Sequence, residues 1–304
     1  MALAALSGDE QCIIFGQLCN VLDPGVAVTF SSASSELWTL TQVPRQQLKA
    51  DHEAAAALCL KLGMRSCKEL REAKEVIWHH KGLSSDDLSL LGTLGSVLPA
   101  LKELTLIEPA AGRDGMQRLA EKLGAGALPA MTYLNILNTN VGDAGASALA
   151  AALGRGALPR LEIIMLYRDA IGDVGLVALA PALRLLPALV HLALGGNPFG
   201  DEGIAALVAP PPPPAGATRP PTGVLTKLEE LNLWETQITD AGCASLVAAL
   251  NGGVLPALED LEINNIPADG AARAALEARF PPADPDDSDD SDGSEHPDAS
   301  GQEL

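Results

Sequence analysis

Aromatic residues are scarce in this chain: Phe, Trp and Tyr make up 3% of its 304 positions, while 47% are hydrophobic overall. A core must therefore be built from Leu, Ala, Val and Ile, and an aromatic side chain placed off that core is conspicuous. Cations are also few, with 20 Lys and Arg against 39 Asp and Glu, for a formal charge of −19. Nucleic acid and anionic membrane surfaces are bound by clustered Lys and Arg that displace counterions, so neither is an expected partner. No apolar run approaches the roughly 18–20 residues that cross a bilayer. No Lys or Arg precedes Arg45, so the start MALAALSGDEQ lacks the positive segment of a secretory signal. The expected location is cytoplasmic or nuclear.

The chemistry of sites is equally sparse. Cys12, Cys19, Cys59, Cys67 and Cys243 are odd in number and include no C-x-x-C pair, which points to reduced thiols rather than a disulfide framework or a zinc site. There is no G-x-x-x-x-G-K-[ST], G-x-S-x-G or H-E-x-x-H. GAGALP at 124–129 and GRGALP at 154–159 carry two of the three glycines of a dinucleotide fingerprint. They follow a helical pattern and precede a strand pattern, the reverse of what a phosphate cradle needs, and read as helix C-caps. His52, His79, His80, His191 and His296 share no element with a carboxylate or cysteine at ligand spacing. A non-enzymatic protein without cofactor or metal is expected.

What the chain does contain is a repeat. LPALKELTL starts at Leu98, LPAMTYLNI at Leu128, LPRLEIIML at Leu158, LPALVHLAL at Leu186, LTKLEELNL at Leu225 and LPALEDLEI at Leu255, in steps of 30, 30, 28, 39 and 30 residues. Within each unit L-x-x-L-x-L alternates as a strand does, and the next stretch, such as DAGASALAAAL at 143–153, has helical spacing. A degenerate copy fits at Val76 and Trp78, followed by Leu83 and a helix from Ser84, which brings the number of units to seven. A fixed period of this size is the signature of a solenoid, in which neighbouring units stack to bury their leucines.

The arrangement resembles the leucine-rich repeat in its long, ribonuclease-inhibitor-like form, over about residues 73–280. That resemblance implies an α/β solenoid: a horseshoe with an inner parallel sheet and outer helices. The regular Asn after the strand is kept only as Asn197, with Pro109, Asp169 or Thr236 elsewhere. The turns are expected to be less well satisfied as a result.

VGDAG at 141–145, IGDVG at 171–175, FGDEG at 199–203 and ITDAG at 238–242 place Asp143, Asp173, Asp201 and Asp240 at the strand-to-helix step. The spacing predicts that each carboxylate caps the helix it begins. The glycines two residues later are expected to let helix pack closely on strand.

In L-x-x-L-x-L the leucines face the core and the intervening residues the open concave side. Both tyrosines of the chain and one of its three tryptophans fall in that register. Tyr133, Asn135, Met165, Tyr167, His191, Asn232, Trp234 and Glu262 are the candidate partner-binding residues, with Tyr133, Tyr167 and Trp234 as anchors, because interfaces use aromatics with polar flanks. Trp234→Ala is expected to weaken binding by more than ~1 kcal/mol with little loss of stability.

Three segments lie outside the repeat pattern. APPPPPAGATRPPTG at 209–223 accounts for the 39-residue step and reads as a solvated Pro-rich insertion, or a ligand for an aromatic groove. The stretch 281–304 carries nine acidic residues and no Lys or Arg, and is expected to be a disordered acidic tail. Residues 1–72 look helical over Asp9–Leu22, Pro24–Ser32 and Pro44–Gly63 and form an expected cap. Leu22, Asp23, Pro24, Val28, Ser32 and Trp38 also resemble an F-box in order and spacing. That likeness implies a substrate adaptor binding the linker protein of a cullin ubiquitin ligase. The leading expectation is an intracellular scaffold binding a protein on its concave face. The repeat form followed by an acidic segment is also similar to Ran-type small-GTPase activators.

Overall fold

A computed structural model of the protein describes residues 7–107, 111–209 and 225–281. The Pro-rich insertion, the acidic tail and Pro109 thus lie outside the described residues, apart from Ala209 and Pro281.

Five helices come first: α1 (Gly8–Leu18), α2 (Gly25–Ser31), α3 (Ser35–Leu40), α4 (Gln42–Lys61) and α5 (Cys67–Glu72). The first stops four residues short of its expected end because Asn20 Oδ1 accepts the Leu22 N–H at 2.9 Å and turns the chain. The short helices α3 and α5 were hidden in stretches with little periodicity. Each opens on a serine cap: Ser34 Oγ accepts the Leu37 N–H and Ser66 Oγ the Glu69 N–H. Leu22, Ala55, Leu58, Cys59, Leu62 and Leu70 share one core with Val76, Trp78 and the repeat leucines. The helices thereby cover leucines that the first repeat would otherwise expose.

Seven parallel strands follow in sequential order: β1 (Glu75–His79), β2 (Glu103–Ile107), β3 (Tyr133–Leu137), β4 (Ile163–Tyr167), β5 (His191–Ala193), β6 (Glu230–Asn232) and β7 (Asp260–Glu262). Register pairs Leu104 with Leu134, Ile136 with Leu166 and Leu192 with Leu231, so equivalent apolar residues stack from unit to unit. These side chains are at most 5% exposed. Behind the sheet run α6 (Ser85–Leu94), α7 (Gly112–Lys122), α8 (Gly142–Gly154), α9 (Asp173–Leu183), α10 (Asp201–Val208), α11 (Asp240–Asn251) and α12 (Ala271–Arg279), each against the next. This open, one-sided stack of strand and helix is an α/β leucine-rich-repeat horseshoe. Among the described residues no helix is long and apolar enough to cross a membrane.

Gly156 (φ +85°) follows the α8 C-cap Arg155 and donates its N–H to Leu153 O at 2.8 Å, in keeping with its reading as a C-cap glycine. Gly126 (φ +68°) instead lies beyond the α7 C-cap Leu123 and donates to Gly156 O of the next repeat at 2.9 Å, which corrects that reading for the first of the two segments. Less expected are Leu128, Leu158, Leu225 and Leu255, also left-handed at φ +52° to +60°. Two of them donate to the preceding repeat, Leu128 N–H to Gly95 O (2.9 Å) and Leu158 N–H to Ala127 O (3.0 Å). Inter-repeat bonding and burial of the side chain offset a conformation that Leu disfavours on its own.

Candidate concave interface

The recurring aspartates serve a different helix from the one expected. Asp143 Oδ1 accepts the N–H groups of Gly172 (2.7 Å) and Gly175 (3.0 Å), and Asp173 Oδ1 those of Gly200 (2.9 Å) and Gly203 (2.7 Å). Asp201 Oδ1 does the same for Thr239 and Gly242, and Asp240 Oδ1 takes the Gly270 N–H. Each carboxylate therefore caps the helix of the following repeat, correcting the expectation of a cap within its own unit. Gly175, Gly203 and Gly242 are also reassigned, whereas a Cβ on Gly145 would meet Val141 Cγ1 at 2.7 Å and no carboxylate. A Cβ on Gly175 would lie 2.6 Å from Asp143 Oδ1, and one on Gly203 3.0 Å from Asp173 Oδ1, so the missing side chain admits the neighbouring carboxylate rather than a strand. Among the described residues no group of three His, Cys, Asp or Glu is placed to hold a metal ion.

The turns after the strands form a second inter-repeat chain. Asn197 Oδ1 accepts from Asp169 N–H (3.0 Å) and Ile171 N–H (3.1 Å), while its Nδ2 donates to Leu166 O and Leu194 O. Asp169 Oδ1 accepts the Thr139 N–H at 2.8 Å, and Thr236 Oγ1 donates to Leu233 O at 2.9 Å. Asp and Thr thus do part of the work of Asn, and the turns are better satisfied than their composition suggests. One atom is the exception: Asp169 Oδ2 is buried without a hydrogen-bond partner. Burial pushes the Asp169 carboxyl up to about 7, against the lowering effect of the backbone N–H groups of Thr139, Asn140 and Val141.

Away from the core, the structure brings the predicted concave residues together in two groups. In the first, the Tyr133 hydroxyl donates to Met165 Sδ (3.4 Å) and Asn135 Nδ2 donates to the Tyr133 hydroxyl (3.4 Å), across β3 and β4. In the second, Tyr167 and Trp234 approach with ring centroids 5.9 Å apart. They sit two strands apart, a backbone separation of about 10 Å. Gly195, in the same row between them, closes the gap: a Cβ there would lie 2.5 Å from Trp234 Nε1. On the far side Arg168 places its guanidinium 4.9 Å from the Trp234 ring centre and donates to Glu235 at 2.9 Å. Trp234 is consequently part of a stack, and its loss removes packing as well as surface. Ala193 and Gly195, though in the concave register, are buried.

Beyond this stack the face turns acidic. His191 Nδ1 lies 2.8 Å from Glu230 Oε2, and Asn232 Nδ2 donates to Glu262. Burial, followed by the charge of Asp260, raises the Glu262 carboxyl above its ordinary range. Burial, followed by the charge of Glu262, raises the Tyr167 phenol. Tyr167, His191, Glu230, Asn232, Asp260 and Glu262 line a hollow of about 130 Å³. Glu230 and Asp260 complete this surface beside the predicted residues, as do Arg168 and Gly195 around Trp234. The strand register alone points to Glu230, Asp260 and Gly195, whereas Arg168 follows the strand and only the fold brings it onto Trp234.

A family model described as Leucine Rich repeat matches residues 128–150, 187–208 and 224–247. No curated protein matches the sequence. Among solved structures, an internalin from Listeria monocytogenes is similar at 13% identity, covering 76% of this chain and 93% of that chain, with a TM-score of 0.26. The matched stretches fall on the units built around β3, β5 and β6, three of the seven strand-and-helix units of the stack.

Proposed function

We propose that the protein is a non-enzymatic scaffold that binds a protein partner on the concave sheet. The observation that carries this reading is the placing of the chain's scarce aromatics: Tyr133, Tyr167 and Trp234 stand half-buried on the solvent side of the sheet, off the leucine core. Half-exposed aromatics with polar neighbours contribute binding energy out of proportion to their area. His191, Asn232 and Glu262 flank them and supply polar contacts.

The test is capture of partners from the protein's own cell extract by the full chain and by the double variant Tyr167→Ala/Trp234→Ala. The variant is expected to lose the partner, with each truncation costing more than ~1 kcal/mol of binding. Because Trp234 fills the space over Gly195, its removal is also expected to lower stability by about 1 kcal/mol. A thermal melt must therefore show the variant folded at the assay temperature. Capture of the same partners by both proteins would reject the concave site.

A second reading, the F-box-type adaptor, rests on a separate surface. Trp38 is 51% exposed with Arg45 stacked 3.3 Å from its ring centre, and Ile13, Val26, Val28 and Val43 are exposed on the same group of helices. An apolar surface of this kind suits a partner. If the reading is right, Trp38→Ala/Val43→Ser abolishes binding to the purified linker protein of a cullin ligase while concave-face partners stay bound. Absence of any complex with the unaltered chain would reject it.

A further inference from the structure

The chain carries 39 Asp and Glu against 20 Lys and Arg, yet every charged residue lining one groove of the N-terminal helices is a cation. The groove runs along α4 as two adjoining hollows. One, of about 220 Å³, lies between α2 and α4, where Pro24, Val28 and Leu48 stand beside Arg45, Lys49 and His52. The other, of about 350 Å³, lies against α3, where Trp38 meets Arg45 and Lys49. Arg45 and Lys49 line both, and among the described residues no Asp or Glu lines either. Neither cation is neutralised within the cap. Arg45 lays its guanidinium 3.3 Å from the Trp38 ring centre and donates to Trp38 O at 2.8 Å, and among the described residues no carboxylate pairs with it. Its Nε is buried with no hydrogen-bond partner. Lys49 meets only Glu53, at 3.7 Å with side chains 78% and 67% exposed, an arrangement that contributes little.

We propose that the distal part of this chain's own acidic stretch, residues 293–304, docks in the groove and covers it. Charge and reach select that occupant. The stretch 282–304 is rich in Asp and Glu and has no Lys or Arg, so it complements a groove whose charges are all positive. A tether on the same chain adds an effective concentration that a separate partner lacks. The path from the end of α12 crosses seven strands, ~30 Å at ~4.8 Å per spacing, and then ~10–20 Å of cap helix. About 12–15 extended residues cover that distance at ~3.3 Å each, which brings the chain to the groove from about residue 293 onward. There Glu295, Asp298 and Glu303 supply acceptors for Arg45 and Lys49. Pro297 and Leu304 supply apolar groups to lay against Trp38 and Val28. The docked segment then competes with any partner of this surface, so it regulates access to the cap. The inference depends on neither the concave-face reading nor the F-box-type reading.

The test reads the indole N–H signals of the ¹⁵N-labelled full chain at 50 mM salt, assigned through Trp38→Phe and Trp234→Phe. Trp38 lines the groove, Trp78 lies in the core and Trp234 stands on the concave face, so each reports on a different place. Glu295→Gln/Asp298→Asn/Glu303→Gln is expected to shift the Trp38 signal alone. Asp284→Asn/Asp286→Asn/Asp287→Asn removes the same charge next to α12 and is expected to leave it in place. A synthetic peptide of residues 293–304, added to the first triple variant, should restore the original Trp38 position. Its affinity should fall at least fivefold when Lys49→Glu is added, a change that leaves the stack of Arg45 on Trp38 intact. An unmoved Trp38 signal, a shift of Trp234 in its place, or a peptide indifferent to Lys49→Glu overturns the proposal. Equal shifts from both triple variants also overturn it, because only net charge is then at work. So does a Trp38 position that changes on twentyfold dilution of the unaltered protein, since the groove then takes the stretch of a second copy.

Discussion

Asp169→Asn is expected to stabilise the protein by roughly 2–4 kcal/mol at pH 8 and to change it little near pH 4. Asp169 is fully buried, its Oδ2 has no partner, and its carboxyl is held up to about 7 from an ordinary value of 3.8. The folded protein therefore retains a proton that the unfolded chain gives up. Between pH ~4 and ~7 the native state binds more protons, so stability is complete below the lower value and falls as pH rises through the upper one. The full displacement corresponds to about 4 kcal/mol, each pH unit being worth 1.36. An amide at 169 keeps the acceptor for the Thr139 N–H and carries no charge to desolvate, as Asn197 illustrates one repeat later. Urea denaturation of both proteins at pH 4.5, 6, 7 and 8 checks the prediction, because other titrating groups cancel in the difference. A difference that does not grow with pH would show that the buried carboxylate is not being neutralised.

Asp173→Ala is expected to cost roughly 2–3 kcal/mol, since it removes an ionised acceptor shared by two helix N-terminal amides and leaves both without a partner. Asp173→Asn keeps an acceptor and should lose about half as much. The location of the damage is the sharper readout. Hydrogen exchange should accelerate at Gly200 and Gly203, in the repeat after the substitution, and not at the start of α9, where Asp173 itself resides. Acceleration confined to α9 would restore the simpler picture of a residue capping its own helix.

Both effects depend on contacts between repeats, and this marks the limit of what could be read from the chain. The strands and helices were legible because L-x-x-L-x-L and the helical stretches impose different periods on an apolar composition. The concave residues followed from the same alternation, since a strand that buries Leu134 and Ile136 must turn Tyr133 and Asn135 the other way. The N-terminal helices were less legible: α3 and α5 have six residues each, too few for a period to show. The acidic hollow was harder still. Glu230, Asp260 and Glu262 are separated by up to 32 positions in the chain and become neighbours only because the intervening α11 returns the chain to the next strand.

The sequence by itself determined the repeat, its alternation of strand and helix and the face each strand presents, because these depend on the spacing of apolar residues within a single unit. Only the tertiary structure decided the partner of each recurring carboxylate, the protonation of Asp169, the left-handed turn at Leu158 and the meeting of Tyr167 with Trp234 over Gly195. Each of these depends on the distance between adjacent units. Stacking sets that distance when leucines from neighbouring repeats close around one core, and a pattern within one unit does not contain it.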